Sequence, residues 1–393
     1  MVVTLTGGRL VDATGERADS PLSFADSRIV GDALPADSTS IDVGGLIVAP
    51  GFVDVHTHGG GMHDLHTENP ADIAAYAHWA PSTGTTSFLA GVVGVPGGLP
   101  RAQMRSVIAA IESNEPGAEV LGIHLEGPYI SVARRGAHDP VWLRTPTESE
   151  TEELLHVAQG YLKLITVAPE LLGAEALMQR LRAAGVVISI GHTDVNYEQA
   201  QAALKLGITH ATHCFNAMRP LLHREPGPLG AIVEADEVRG ELIADGVHVH
   251  PAAARVLVRA LGPQRTVLVT DALACAGMGN IRFSFGGQPA EVVAGVARLQ
   301  DGTITGSVLT MAQALRNVLR FTDLPLASAI GMATINPARS ASVAARKGLL
   351  QPGYDADLLL LDHELALQAT ICRGRLAYAT EEWQARLSVL SNP

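Results

Sequence analysis

Residues 49–61 read APGFVDVHTHGGG. Pro50 and Gly51 end whatever precedes them, and Phe52, Val53 and Val55 favour a strand. Side chains two apart on a strand share a face, so Asp54, His56 and His58 point the same way. Two imidazoles at the end of an apolar strand suit a divalent cation. The glycines that follow permit a sharp turn and leave room beside the rings. A lone H-x-H pair is common by chance, so its meaning depends on what lies downstream.

Downstream, strand-forming runs alternate with amphipathic helical ones. Strands are predicted at 51–56, 85–91, 120–125, 162–168, 186–190, 210–214, 241–244 and 266–270. Helices are predicted at 71–80, 101–113, 148–158, 174–184, 197–205 and 251–260, with three more at 307–322, 326–333 and 337–344. This order predicts parallel pairing with right-handed crossovers, and eight units predict an α/β fold, a (β/α)8 TIM-type barrel over residues 49–344. Residues 1–48 read as short strands, with 2–5 and 9–11 flanking Gly7-Gly8 in a hairpin pattern. Residues 345–393 share that texture and finish in a helical tail after Thr380. The two chain ends therefore predict one small β-sandwich domain.

Of 393 residues, 47% are hydrophobic and 17% charged, which fits a globular enzyme and excludes a disordered chain. No apolar run reaches the length of a membrane span. The start lacks the basic and apolar regions of a secretory signal. Cys214, Cys275 and Cys372 show no paired spacing, so free thiols and a cytoplasmic location are expected. The net charge of −12 argues against broad binding to nucleic acid or anionic membranes. An anionic small substrate would need a local positive site.

Chemistry in such a barrel sits at the C-terminal ends of the strands. There the sequence places His56 and His58, Glu126 in HLEGPY, His192 in SIGHT, His213 in THCFNAM, Asp245 and His248 in ADGVH, and Asp271 in LVTDA. Such histidines and carboxylates can hold Zn²⁺ or Fe²⁺ with positions left for water. The cation lowers the water pKa toward ~7, and a nearby carboxylate can move the proton. Glu126 has two oxygens and could bridge two cations. His124, one layer deeper, and His210, at a strand start, read as structural, and Cys214 as core. Asp54 is expected to support the ligands by hydrogen bonding. The segment 127–140, with Arg134, Arg135 and Gly136, reads as a lid over the mouth in preference to an ordinary exposed loop.

The motifs PGFVDVHTHG, HLEGPY, SIGHT, THCFNAM, ADGVH, LVTDA and PGYDADLLLLD resemble the amidohydrolase superfamily. HLEGPY and FNAM narrow the resemblance to its N-acetylglucosamine-6-phosphate deacetylase family. That resemblance implies hydrolysis of N-acetyl-D-glucosamine 6-phosphate to D-glucosamine 6-phosphate and acetate, in amino-sugar catabolism and cell-wall precursor recycling. It implies one or two divalent metal ions per subunit on Glu126, His192 and His213, with His56, His58 and Asp271 able to hold the second. Asp271 matches the catalytic acid/base and His138 a histidine that polarises the amide carbonyl. Ala137, His138, Asn216, Ala217, Arg224, Asp245, His248, Ile304, Thr305 and Gly306 match substrate contacts, with Arg224 and His248 as the phosphate pair. The family's phosphate site draws on a neighbouring subunit, which implies a homodimer. Glu126 stands where many superfamily relatives carry a carbamylated lysine, so no lysine modification is expected. The alternatives are another metal-dependent amidohydrolase, acting on a cyclic amide or a different N-acyl substrate, and a non-catalytic scaffold relative. Retention of Glu126, His192, His213 and Asp271 speaks against the scaffold.

Overall fold

The computed structural model describes residues 2–391 apart from positions 19, 33, 34, 36, 286 and 287. Among the described residues, eight strands form one parallel sheet in chain order: Phe52–Thr57, Thr85–Val93, Glu119–Glu126, Leu162–Val167, Val187–Ile190, His210–Ala211, Arg239–Ile243 and Thr266–Val269. Such strands are covered on both faces, so they are rich in apolar residues and show no inside–outside alternation; all nine residues of TTSFLAGVV are buried. The first and last strands join at their C-terminal ends, where Asp271 N donates to His56 O and His58 N donates to Ala272 O, both at 2.8 Å. The Thr270 hydroxyl adds a bond to Asp54 Oδ2 at 2.6 Å across the same seam. The fold is thus the (β/α)8 barrel.

The surrounding helices start where capping chemistry starts them. Thr147 caps Glu148–Ala158 by accepting from Glu150 N, and Asn196 with Gln199 forms a reciprocal capping box on Tyr197–Leu204. Helix Gly227–Glu234 was not expected. Its GPLG start has poor intrinsic propensity, and burial of Leu229, Ala231 and Ile232 holds it instead. A three-stranded antiparallel sheet, Arg282–Phe285, Gln288–Val293 and Val296–Leu299, was also not expected. It follows the eighth barrel strand and buries Val292 and Ala297 against Leu273 and Cys275.

The chain ends build two further sheets around a shared core that includes Phe24, Val48, Leu358, Ile371 and Trp383. One sheet comes wholly from the N-terminal end. In the other, Ile47–Pro50 pairs antiparallel with Leu358–Leu361. The expected hairpin at Gly7-Gly8 does not form. Val2–Thr6 pairs with Leu22–Ala25 and Thr39–Asp42, whereas Arg9–Asp12 pairs with Gly15–Arg17 and Ile47–Pro50. Gly7, at φ +74°, carries the chain from one sheet to the other, a crossing as open to glycine as a hairpin turn. No helix among the described residues is long and apolar enough to cross a membrane.

Below the barrel, buried Lys347 reaches Asp357 at 2.6 Å and both Asp355 and Glu119 at 2.9 Å. Glu119 begins the third barrel strand, and Asp357 precedes Leu358–Leu361, so this cluster ties the barrel to the end sheets. Burial alone would raise the Glu119 carboxyl, but Arg346 and Lys347 outweigh it and bring it down to about 2. Replacing Lys347 with Met removes the ammonium from buried Asp357, while Arg346 still bridges Glu119 and Asp355. Urea unfolding of Lys347→Met should show a loss of about 3–5 kcal/mol; a loss below about 1 kcal/mol would show that the cluster is not a structural tie.

Candidate active site

The strand ends deliver His58, Glu126, His192, His213 and Asp271 to one cavity of about 200 Å³. His56 lies within the first strand; His58, His192, His213 and Asp271 lie in the turns just beyond their strands, and Glu126 ends the third. His192, His213 and Asp271 take positive φ (47°, 26° and 48°), a region that costs non-glycine residues about 1–3 kcal/mol. The backbone bonds that hold these turns, such as Asp271 N to His56 O, impose that conformation.

Two groups of three face each other: Glu126, His192 and His213, and His56, His58 and Asp271. Glu126 Oε1 lies 3.1 Å from His192 Nε2 and 3.2 Å from His213 Nε2, and these two nitrogens are 3.0 Å apart. The carboxylate also faces the second group, with Oε1 3.4 Å from His56 Nε2 and Oε2 3.2 Å from His58 Nε2. Asp271 Oδ1 stands 3.4 Å from both of those nitrogens. Donors in a tetrahedron at ~2.1 Å from a cation lie about 3.4 Å apart, so both spacings suit one.

Protonation tests the fit. His192 Nδ1 donates to Arg134 O at 2.8 Å, and burial pulls the ring down to about 4, so Nε2 offers a bare lone pair to an ionised carboxylate. His56 Nδ1 is likewise taken by Glu241 Oε2 at 2.8 Å, and His56 Nε2 has no hydrogen-bond partner. Despite burial, Glu241, Asp271 and Glu126 hold His56 well above an ordinary imidazole, and Asp271 and Glu126 hold His58 up to about 9. The crowded carboxylates thus call for positive charge here, which a divalent cation would supply in place of protons. The residues therefore fit a divalent cation in the first group, and the second group fits another.

Glu241 is the residue that reading the sequence missed. It lies inside the seventh strand, fully buried, with Oε2 on His56 Nδ1 and on His213 N, both at 2.8 Å, and Oε1 on His210 Nε2 at 2.9 Å. Burial would raise its carboxyl, but His56 and His210 outweigh that and keep it ionised. A carboxylate in an apolar parallel strand (GELIA) was the signal available. His210 is structural in this arrangement, and His124 bonds Thr166 Oγ1 at 2.9 Å. Asp54 supports backbone rather than rings, accepting from His56 N and Thr270 N at 3.3 Å.

His138, Ala137, Asn216, Ala217, His248, Ile304, Thr305 and Gly306 also line the cavity. His138 Nε2 is 3.4 Å from Glu126 Oε2. Asp245 reaches the cavity only through His248. Its Oδ2 is 2.6 Å from His248 Nδ1, while His248 Nε2 faces Thr305 O at 3.0 Å. Both partners accept, so this ring holds both protons and a positive charge; its pKa is raised despite burial. Among the described residues no lysine or arginine lines the cavity. Arg224 is exposed and lies against the His223 ring, so the structure does not bring it to this chain's own site.

A closed barrel with histidines and carboxylates gathered at its mouth defines a metal-dependent hydrolase, and the chain belongs to the amidohydrolase family, whose profile matches residues 47–384. It is 34% identical over 383 residues to N-acetylglucosamine-6-phosphate deacetylase of Bacillus subtilis (strain 168), covering 97% of this chain and 93% of that protein. It is 34% identical over 378 residues to N-acetylgalactosamine-6-phosphate deacetylase of Escherichia coli O157:H7, covering 96% and 100%. The structure of a mutant N-acetyl-D-glucosamine-6-phosphate deacetylase from Mycobacterium smegmatis, in complex with N-acetyl-D-glucosamine-6-phosphate, superposes with a TM-score of 0.89 at 37% identity, covering 96% and 100%.

Glu241→Gln removes the charge that orients His56 and should weaken zinc binding about 10–100-fold in a chelator competition; unchanged affinity would show that Glu241 serves folding alone. Stripping the wild type with a chelator should lower its thermal midpoint, and restoring cation at ~100-fold above its Kd should return about 2.7 kcal/mol of stability.

Proposed function

We propose that this chain hydrolyses the N-acetyl amide of N-acetyl-D-glucosamine 6-phosphate to D-glucosamine 6-phosphate and acetate. The observation that carries the reading is one cavity lined by Glu126, His192, His213 and Asp271, with a charged His248 in its wall. Relatives named for this deacetylation, at 34–37% identity over nearly the whole chain, support it.

Glu126, His192 and His213 would hold one divalent cation, zinc or iron, and His56, His58 and Asp271 a second. When bound, the cation supplies Lewis acidity, which acidifies water and polarises a carbonyl. Asp271 takes the proton of the attacking water. As the carbon–nitrogen bond breaks, it delivers that proton to the sugar nitrogen, which otherwise leaves poorly as an amide anion. His138 donates to the acetyl oxygen as negative charge grows there. His248 faces the phosphate, and Arg224 of a neighbouring copy completes the phosphate site in a homodimer. Asn216, Ala217 and residues 304–306 orient the sugar. Buried unpaired cysteines suit the reducing cytoplasm.

The galactosamine relative, at the same identity, keeps the 4-epimer as a second substrate. Acetate release measured on both 6-phosphates and on unphosphorylated N-acetylglucosamine tests the reading. The phosphate should raise kcat/KM at least about 10²-fold, and equal rates with and without it would point to a different N-acyl substrate. Asp271→Asn should bind substrate but turn over about 10²–10⁴-fold slower; near-normal turnover would remove Asp271 from the proton path.

A further inference from the structure

Asp194 lies two residues past His192 and outside the cavity lining. Its Oδ1 accepts from Arg134 Nε at 2.7 Å and its Oδ2 from Arg219 Nη2 at 3.0 Å. Its backbone carbonyl accepts from Arg219 Nε at 2.8 Å, and Glu170 Oε1 takes its N–H at 2.7 Å. One carboxylate therefore gathers two arginines from two different loops. The loop bearing Arg134 also bears His138. Its turn Val132–Arg134 contains no buried residue, so packing alone does not fix it. Yet the Arg134 carbonyl is the acceptor that sets the His192 tautomer, at 2.8 Å. A Cβ on Gly136 would lie 3.3 Å from His192 Cε1, so the same loop also lies on the ring.

We infer that Asp194 is a positioning residue: by clamping Arg134 and Arg219 it fixes the carbonyl that orients His192, so that order in the His138 loop and affinity for a cation at His192 form one coupled property. The inference rests on the reading of His192 as a ligand. Coupling is reciprocal, so a ligand that orders the loop tightens the cation by the factor by which the cation tightens that ligand. The clamp side chains are about one-third exposed, at 32–34%, so an effect near the lower end of supporting-group losses, about tenfold, is expected.

The test uses the full-length wild type, Asp194→Ala, Arg134→Ala and the double variant. Arg134→Ala truncates a partly exposed side chain and keeps the carbonyl, so it serves where Asp194→Ala does not fold. Zinc affinity is read by chelator competition, with and without D-glucosamine 6-phosphate, and the His192 tautomer by ¹⁵N NMR of the metal-free protein. Each single variant should bind zinc about tenfold more weakly, and the double variant within about twofold of the weaker single. The sugar phosphate should tighten zinc in the wild type and not in the variants. The Nδ1–H tautomer should dominate in the wild type and become mixed in the variants. An unchanged tautomer, zinc affinity within twofold of wild type, or fully additive losses overturn the clamp. A changed tautomer in a protein that takes up no zinc even as wild type would overturn the metal reading and leave the clamp standing.

Discussion

The seam between the first and last barrel strands runs through His56, His58 and Asp271, the members of one candidate ligand group. The hydrogen bond from Asp271 N to His56 O joins the backbones of two of those members, and His58 N to Ala272 O makes a second join beside it. Closing the cylinder and assembling the site are therefore one event. A slip of one residue at that seam would turn His56 toward the helices and carry Asp271 away from Glu126. Asp54 and Thr270 brace the same place from below, which explains why a carboxylate is buried there without touching any imidazole ring.

Most of the barrel was legible because its strands are buried on both faces and so are rich in apolar and β-branched residues. The helices Arg101–Ser113 and Glu148–Ala158 were legible from their periodicity. What escaped depends on partners distant in sequence. Helix Gly227–Glu234 begins with the composition of a turn, and burial of Leu229, Ala231 and Ile232 holds it helical. Glu241 looks like any acidic residue until His56, His210 and the backbone of His213 are seen to close around it. The chain crossing at Gly7-Gly8 shares its local chemistry with a hairpin, and only the pairing choices of Thr39–Asp42 and Ile47–Pro50 separate the two. Arg224 was nominated by motif, and the geometry of a single chain leaves it at the surface.

The two ends of the barrel solve opposite charge problems. At the bottom, three carboxylates surround a buried ammonium, and Arg346, Arg28 and Arg373 supply further positive charge to them. At the top, Glu126 and Asp271 crowd four imidazoles, a donor set that a divalent cation would balance. In a chain of net charge −12, His248, paired with Asp245 at 2.6 Å, is the cationic candidate contact for an anion in the cavity wall.

The pairing of Ile47–Pro50 with Leu358–Leu361 has a consequence for biosynthesis. The earlier strand leaves the ribosome roughly 300 residues ahead of its partner, tens of seconds at ordinary elongation rates. During that interval the N-terminal strands of the shared sheet present an unpaired edge to the cell. The nascent chain must keep that edge from foreign strands until the last segment arrives to cover it.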